Sequence, residues 1–118
     1  MDAVQACGVL PTDARAWQAD FVACGAHKWL MGLEGAGLLY VHPDRIGALE
    51  PATAGWLSHE QGADFLVRGP GLLRYDRPLK RGADVFEGAT LPGAGFAGLG
   101  ASVRLLLKLG TAAIAAHV

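Results

Sequence analysis

The sequence predicts an α/β fold. Two short apolar runs, DFVAC at 20–24 and AGLLYVH at 36–42, read as buried strands. In the last third Phe96, Leu99, Val103, Leu106 and Leu107 recur at the spacing of one helix face. Glycine is the third observation: 17 of 118 residues is roughly twice the usual share of about 7%. The clusters at 32–37, 62–71 and 88–100 mark tight turns and close backbone approaches.

The N-terminal residues Asp2-Ala3-Val4-Gln5 lead straight into a loop through Gly8 and Pro11. PTDARAWQA, residues 11–19, predicts a short helix starting near Thr12 or Asp13, because Thr or Asp just after proline is a good N-cap. The first strand follows, and residues 25–35 connect it to the second. Pro43 and the DRIGAL after it predict a surface turn of helix. Residues 51–84 carry Pro51, Pro70 and Pro78 and sustain neither a period of 2 nor one of 3.6, so they read as a long loop. Loops of that length are functional or mobile when they occur in a compact domain. In the final helix Arg104 and Lys108 fall outside the apolar stripe, Gly110 reads as its C′ stop, and Thr111 reads as the N-cap of another helix.

Hydrophobic residues at 52% and charged residues at 18% exclude a disordered chain. A net charge of −1 and a pI near 6.4 give no global reason to expect nucleic acid or an anionic membrane as partner. Arg68, Arg74, Arg77, Lys80 and Arg81 fall in one stretch, but Asp64, Asp76 and Asp84 lie among or beside them, as on a solvated surface. Cys7 and Cys24 are neither in CxxC spacing nor near histidines at zinc-ligand spacing, so no metal is expected. Reduced thiols and a cytoplasmic location are the default for such a chain. No basic segment precedes an apolar run as in a signal peptide, and no apolar stretch reaches the roughly 20 residues of a membrane span.

Lys28 lies just past a strand end, between His27 and Trp29. A lysine desolvated there would lose its proton more easily and become a nucleophile or imine former. Taken alone, the same residues favour a lysine whose stem is covered and whose head reaches water. Asp2 and Gln5 carry a second hint. An aspartate can pair with a protonated pyridine nitrogen and a glutamine can hydrogen-bond ring substituents, although two exposed polar residues at a frayed terminus would look the same. Gly32, Gly35 and Gly37 precede a strand rather than joining a strand to a helix, so they form no dinucleotide fingerprint. No Walker lysine and no G-x-S-x-G elbow occurs, and Ser58-His59 has no sign of a triad around it. His42 and His117 read as packing or surface residues.

DAVQACGVLPTD, DFVACGAHKWLMGLEGAGLLYVHPD, AGWLS and FEGATLPGAGFAGLGASV occur in an order and spacing that resemble the class V aminotransferase family of pyridoxal-phosphate enzymes. That family includes cysteine desulfurases, kynureninases and isopenicillin epimerase-like proteins. The resemblance covers nearly the whole chain. It implies part of the large domain of a fold-type I enzyme, residues 1–118 forming its second half, with the N-terminal half and the C-terminal small domain absent.

By this resemblance Lys28 forms the internal aldimine with pyridoxal 5′-phosphate and His27 frames the cofactor. Asp2 pairs with the pyridine nitrogen and Gln5 with the phenolic oxygen. Thr90 reaches the cofactor phosphate of a neighbouring subunit, which implies a homodimer of the full-length parent. The chain departs from the family pattern in four places: Gly25 stands where many members have a phosphate-binding serine, Leu33 replaces a frequent proline, Val85 an arginine, and Ala89 a glycine. The expected function is action on an amino-acid substrate by transamination, desulfuration or epimerisation. This chain alone is expected to bind cofactor weakly if at all and to show no turnover. The alternative is a catalytically inactive, truncated or split structural fragment that needs a partner chain.

Overall fold

A computed structural model describes all residues, 1–118. In chain order the regular elements are β1 (Phe21–Gly25), β2 (Gly37–Val41), α1 (Pro43–Ile46), α2 (Asp64–Arg68), α3 (Gly93–Leu109) and α4 (Thr111–His117). Turns of 3-10 helix at Trp56–Ser58, Pro70–Leu72 and Ala83–Phe86 add to them. The chain divides into two compact units, one made of Met1–His42 with Pro92–Val118 and the other of Pro43–Leu91.

In the first unit β1 and β2 pair antiparallel, with Phe21 opposite Val41, Cys24 opposite Leu38 and Gly25 opposite Gly37. Val22 and Cys24 are buried while Phe21 and Ala23 are exposed, the alternation of a strand with one covered face. Residues 1–3 add to the other edge of β1 in parallel. The Ala3 amide donates to the Ala23 carbonyl at 2.8 Å, and the Ala23 amide donates to the Met1 carbonyl at 3.0 Å. The terminus is therefore fixed rather than frayed. The core is built from Cys24, Ala26, Leu30, Ala36, Leu99 and Leu106, with Cys7, Val103 and Ile114 packed against it.

Helix α3 forms where the apolar period predicts it, and the middle of the predicted stripe is covered, Leu99 and Leu106 being buried with Val103 packed against them, while its margins differ. Gly95, Leu99 and Leu106 face the core, whereas Phe96 is exposed and Leu107 is 75% exposed. Small residues explain the difference, since a Cβ at Gly95 would lie 3.2 Å from the Ala36 Cβ, and only a residue without one lets the helix come so close. Ser102 ties the same face down by donating to the Met31 carbonyl at 2.9 Å. Gly110, at φ 81°, ends α3 and itself occupies the N-cap position of α4, which Thr111 had been expected to fill. The two helices meet at 77°, and no single helix is long and apolar enough to cross a membrane.

The helix expected from Thr12 or Asp13 is a single turn. Asp13 Oδ1 accepts from the amides of Arg15 and Ala16, both at 3.0 Å, as a capping residue should. Gln18 then adopts φ 51°, which stops propagation after one turn.

In the second unit the stretch read as loop is held by short turns and cross-links. Ser58, fully buried, accepts at Oγ from the Gly55 amide at 3.1 Å, and its carbonyl accepts from the Lys80 amide at 2.9 Å. His59 Nδ1 lies 2.6 Å from the Arg77 carbonyl, and Trp56 packs edge-on against Phe65 with centroids 4.8 Å apart. The contacts of Ser58 with Lys80 and of His59 with Arg77 join residues about 20 apart, which periodicity in one segment cannot reveal.

Gly8 is the tightest point of the first unit. At φ 97° it is in a region L side chains avoid, and a Cβ there would lie 2.5 Å from the Trp29 carbonyl oxygen. Gly35, at φ 83°, faces open space. Strain of this kind costs about 1–3 kcal/mol, so Gly35→Ala is expected to lose about 1 kcal/mol and Gly8→Ala about 3 kcal/mol, because only the latter must also move backbone. Urea denaturation of both variants checks this; equal losses would remove the close approach of residues 8 and 29.

Candidate functional site

Lys28 sits in a turn whose neighbours are anchored in alternation. Ala26, fully buried at 0% exposure, donates its amide to the Ala36 carbonyl at 3.0 Å and accepts at its own carbonyl from Gly32 at 2.8 Å. Leu30 is buried as well, and the Met31 amide closes the turn on the Lys28 carbonyl at 2.8 Å. With Ala26 and Leu30 inside, His27, Lys28 and Trp29 are left outside. The desolvated lysine that the flanking rings suggested is not formed within this chain, since all three side chains are exposed.

An open groove of about 580 Å³ runs along this turn, lined among others by Asp2, Cys24, Gly25, His27, Lys28 and Leu38. That volume suits a small-molecule ligand. Asp2 enters it from the parallel N-terminal segment, and its Oδ1 accepts from the Val4 amide at 2.9 Å, which fixes the side chain in a local turn. The groove thus combines a primary amine, a carboxylate and an imidazole with apolar walls. His27 leans back over the strand end, so that a Cβ on Gly25 would lie 2.9 Å from the imidazole Cε1. The missing side chain at position 25 is what lets the ring rest there.

Of the residues singled out from the sequence, the structure brings Asp2, His27 and Lys28 together. Gln5 is exposed on the following turn and does not line the groove. Thr90 is exposed and belongs to the second unit, Pro43–Leu91. Cys24 and Leu38 were not singled out. Their register, directly opposite each other across β1 and β2, places them in the groove, and the only sequence signal was the inward position of Cys24 in the strand alternation.

The Cys24 thiol is perturbed. Burial pushes it from an ordinary 9.0 up to about 11, and the hydrogen-bonded Cys7 thiol and the charge of Asp2 push the same way. The two cysteines are free thiols.

The class-V aminotransferase family model matches residues 1–118. A probable cysteine desulfurase of Methanothermobacter thermautotrophicus is 38% identical over 117 residues, 99% of this chain and 27% of that protein. Isopenicillin N epimerase of Streptomyces clavuligerus is 38% identical over 56 residues, 48% of this chain and 14% of that one. Among solved structures, the apo cysteine desulfurase from Thermococcus onnurineus NA1 superposes with a TM-score of 0.73 at 29% identity, over 94% of this chain and 25% of that one. A lysine-to-alanine variant of the cystine C–S lyase C-DES, with glycine covalently linked to its PLP cofactor, superposes with a TM-score of 0.73 at 33% identity, over 92% of this chain and 26% of that one. The chain therefore spans about a quarter of the length of the proteins it matches.

Cys24 makes stability depend on alkaline pH. The folded state holds the thiol proton more tightly than the unfolded chain, so the stability is present below about pH 9 and is lost as pH rises through about 11. The loss is at most roughly 2–3 kcal/mol. Denaturation midpoints measured across this range are expected to fall less steeply for Cys24→Ala than for the native sequence. Parallel falls would mean that Cys24 titrates at its ordinary value.

Proposed function

Since the chain belongs to the class-V aminotransferase family, we propose that it forms the lysine-bearing part of a pyridoxal-phosphate-dependent enzyme acting on an amino acid, with Lys28 as the residue that holds the cofactor covalently. The observation that carries this reading is the convergence of Lys28, Asp2 and His27 on one groove of about 580 Å³.

The residues present fit such a cofactor in kind. Lys28 offers an exposed amine for its aldehyde, Asp2 a carboxylate for its ring nitrogen, and His27 a hydrogen-bonding ring for its anionic end. When bound, pyridoxal phosphate withdraws electrons from the α carbon of an amino acid. Lys28, on a short anchored turn, is the group that would take up and return the proton at that carbon. Asp2, charged and held by its own backbone turn, would keep the ring nitrogen protonated. Gly25 brings no hydroxyl to the anionic end, where many members of the family have a serine.

Of the possible reactions, carbon–sulfur chemistry draws the most support. The match to a probable cysteine desulfurase runs over 99% of the chain, whereas the epimerase aligns with 48%. A homodimer of the parent, with Thr90 serving the neighbouring subunit's site, belongs to the same proposal. A second reading, a fragment that works only when complemented by another chain, is favoured by β2. Leu38 and Leu39 are 43% and 53% exposed there, and the sheet ends at that strand. An open apolar strand edge seeks a partner.

The chain has three lysines, Lys28, Lys80 and Lys108, so the test contains its own controls. Incubation with pyridoxal phosphate, borohydride reduction and peptide mapping are expected to show Lys28 labelled at least about tenfold more than the other two. Asp2→Asn should weaken that preference by about tenfold, the worth of one charged hydrogen bond. No turnover of cysteine by the isolated chain is expected. Equal labelling of all three lysines would overturn the assignment of Lys28.

A further inference from the structure

Two nucleophilic side chains take no part in the chemistry proposed above. Cys24 is 4% exposed on β1, and Cys7 is half-buried in the turn that follows the N-terminal segment. The two belong to one apolar cluster. Backbone bonds hold them in place, since the Cys7 amide donates to the Ala3 carbonyl at 2.9 Å and the Ala3 amide donates to the Ala23 carbonyl, one residue before Cys24, at 2.8 Å. The Cys24 thiol donates to the Gly25 carbonyl at 3.4 Å, and after burial Cys7 is the neighbour that most raises it. Seventeen positions apart in sequence, they are brought together with no other thiol present to compete.

We propose that Cys7 and Cys24 form a modification site at which a low-molecular-weight disulfide converts the two thiols into an intramolecular disulfide, stapling the N-terminal turn to β1 beside the groove. The exposures set the order of events. Cys7, the accessible partner, attacks one sulfur of the small disulfide as thiolate; a Cys7 mixed disulfide forms and one small thiolate leaves. Cys24 then gives up its proton to solvent and attacks the Cys7 sulfur. The Cys7–Cys24 bond forms and the second small thiolate leaves. The small disulfide is reduced to two thiols, the protein pair is oxidised to one disulfide, and no other electron acceptor is needed.

Burial makes the second step the slow one near neutral pH. Burial holds the Cys24 thiol protonated, and the thiolate fraction of a thiol rises about tenfold for each pH unit below its own pKa. The mixed disulfide should accumulate at lower pH and collapse to the cross-link faster as pH rises. The staple closes the segment between the two cysteines, so the oxidised chain should also melt at a higher temperature, a rise that dithiothreitol reverses.

The experiment treats dilute chain with oxidised glutathione, quenches with acid, and maps peptides without reduction. The expected result is glutathione first on Cys7, then a monomeric product with Cys7 and Cys24 joined. Cys24→Ala should stop at the mixed disulfide. Should that buried variant fail to fold, Cys7→Ser serves instead and should leave Cys24 labelled at less than about a tenth of the Cys7 rate. A mixed disulfide that never resolves in the native sequence, a cross-link that joins two chains, or Cys24 modified as fast as Cys7 would each overturn the proposal. None of these readouts involves cofactor, so failure here leaves the role of Lys28 untouched.

Discussion

Much of the first unit depends on the backbone of Ala26. Its amide is bonded to the Ala36 carbonyl and its carbonyl to the Gly32 amide, so one residue binds both the strand that follows and the loop between. With no side chain beyond a methyl it can be wholly buried, and Gly32 packs directly over it because a Cβ at Gly32 would lie 2.7 Å from that methyl. Leu99 of α3 reaches the same spot, its Cδ1 lying 3.4 Å from where the Gly32 Cβ would be. The register of β2, the seat of α3 and the outward presentation of residues 27–29 are all consequences of that small, doubly bonded residue.

A lysine in an apolar neighbourhood is thus reconciled with the cost of burying charge. Apolar neighbours in sequence are not neighbours in space: Ala26 and Leu30 turn in, and the three residues between them turn out. An amine on a short turn with both ends fixed is constrained in position while remaining accessible. Asp2 is fixed by comparable means, through pairing of residues 1–3 with β1 and a turn closed on its own side chain.

What the sequence made legible follows the range of the interactions involved. β1 and β2 were readable to within about a residue because local apolar runs define them, and α3 because its period is sustained over many residues. The buried stripe of α3 was legible at Leu99, Val103 and Leu106 but not at its margins, where hydrophobicity favours Phe96 and Leu107 and close approach favours Gly95. The helix after Pro11 was capped as expected, yet it ended at Gln18, where no proline or glycine warns of a stop. The cross-links of Ser58 and His59 to residues 77–80 lie beyond any local pattern. At the site, Lys28, His27 and Asp2 were legible through the family motif, whereas the contribution of Cys24 and Leu38 needed the strand register.

The imidazole resting over Gly25 has a consequence for how such a site can change. Because a Cβ at position 25 would lie 2.9 Å from the ring, any side chain there makes the exposed imidazole of His27 swing aside. Restoring the serine common in the family displaces His27 from its present seat, while shrinking His27 alone leaves the strand end bare. A single change at position 25 thus alters what the turn presents to the groove through a neighbour whose own identity is unchanged.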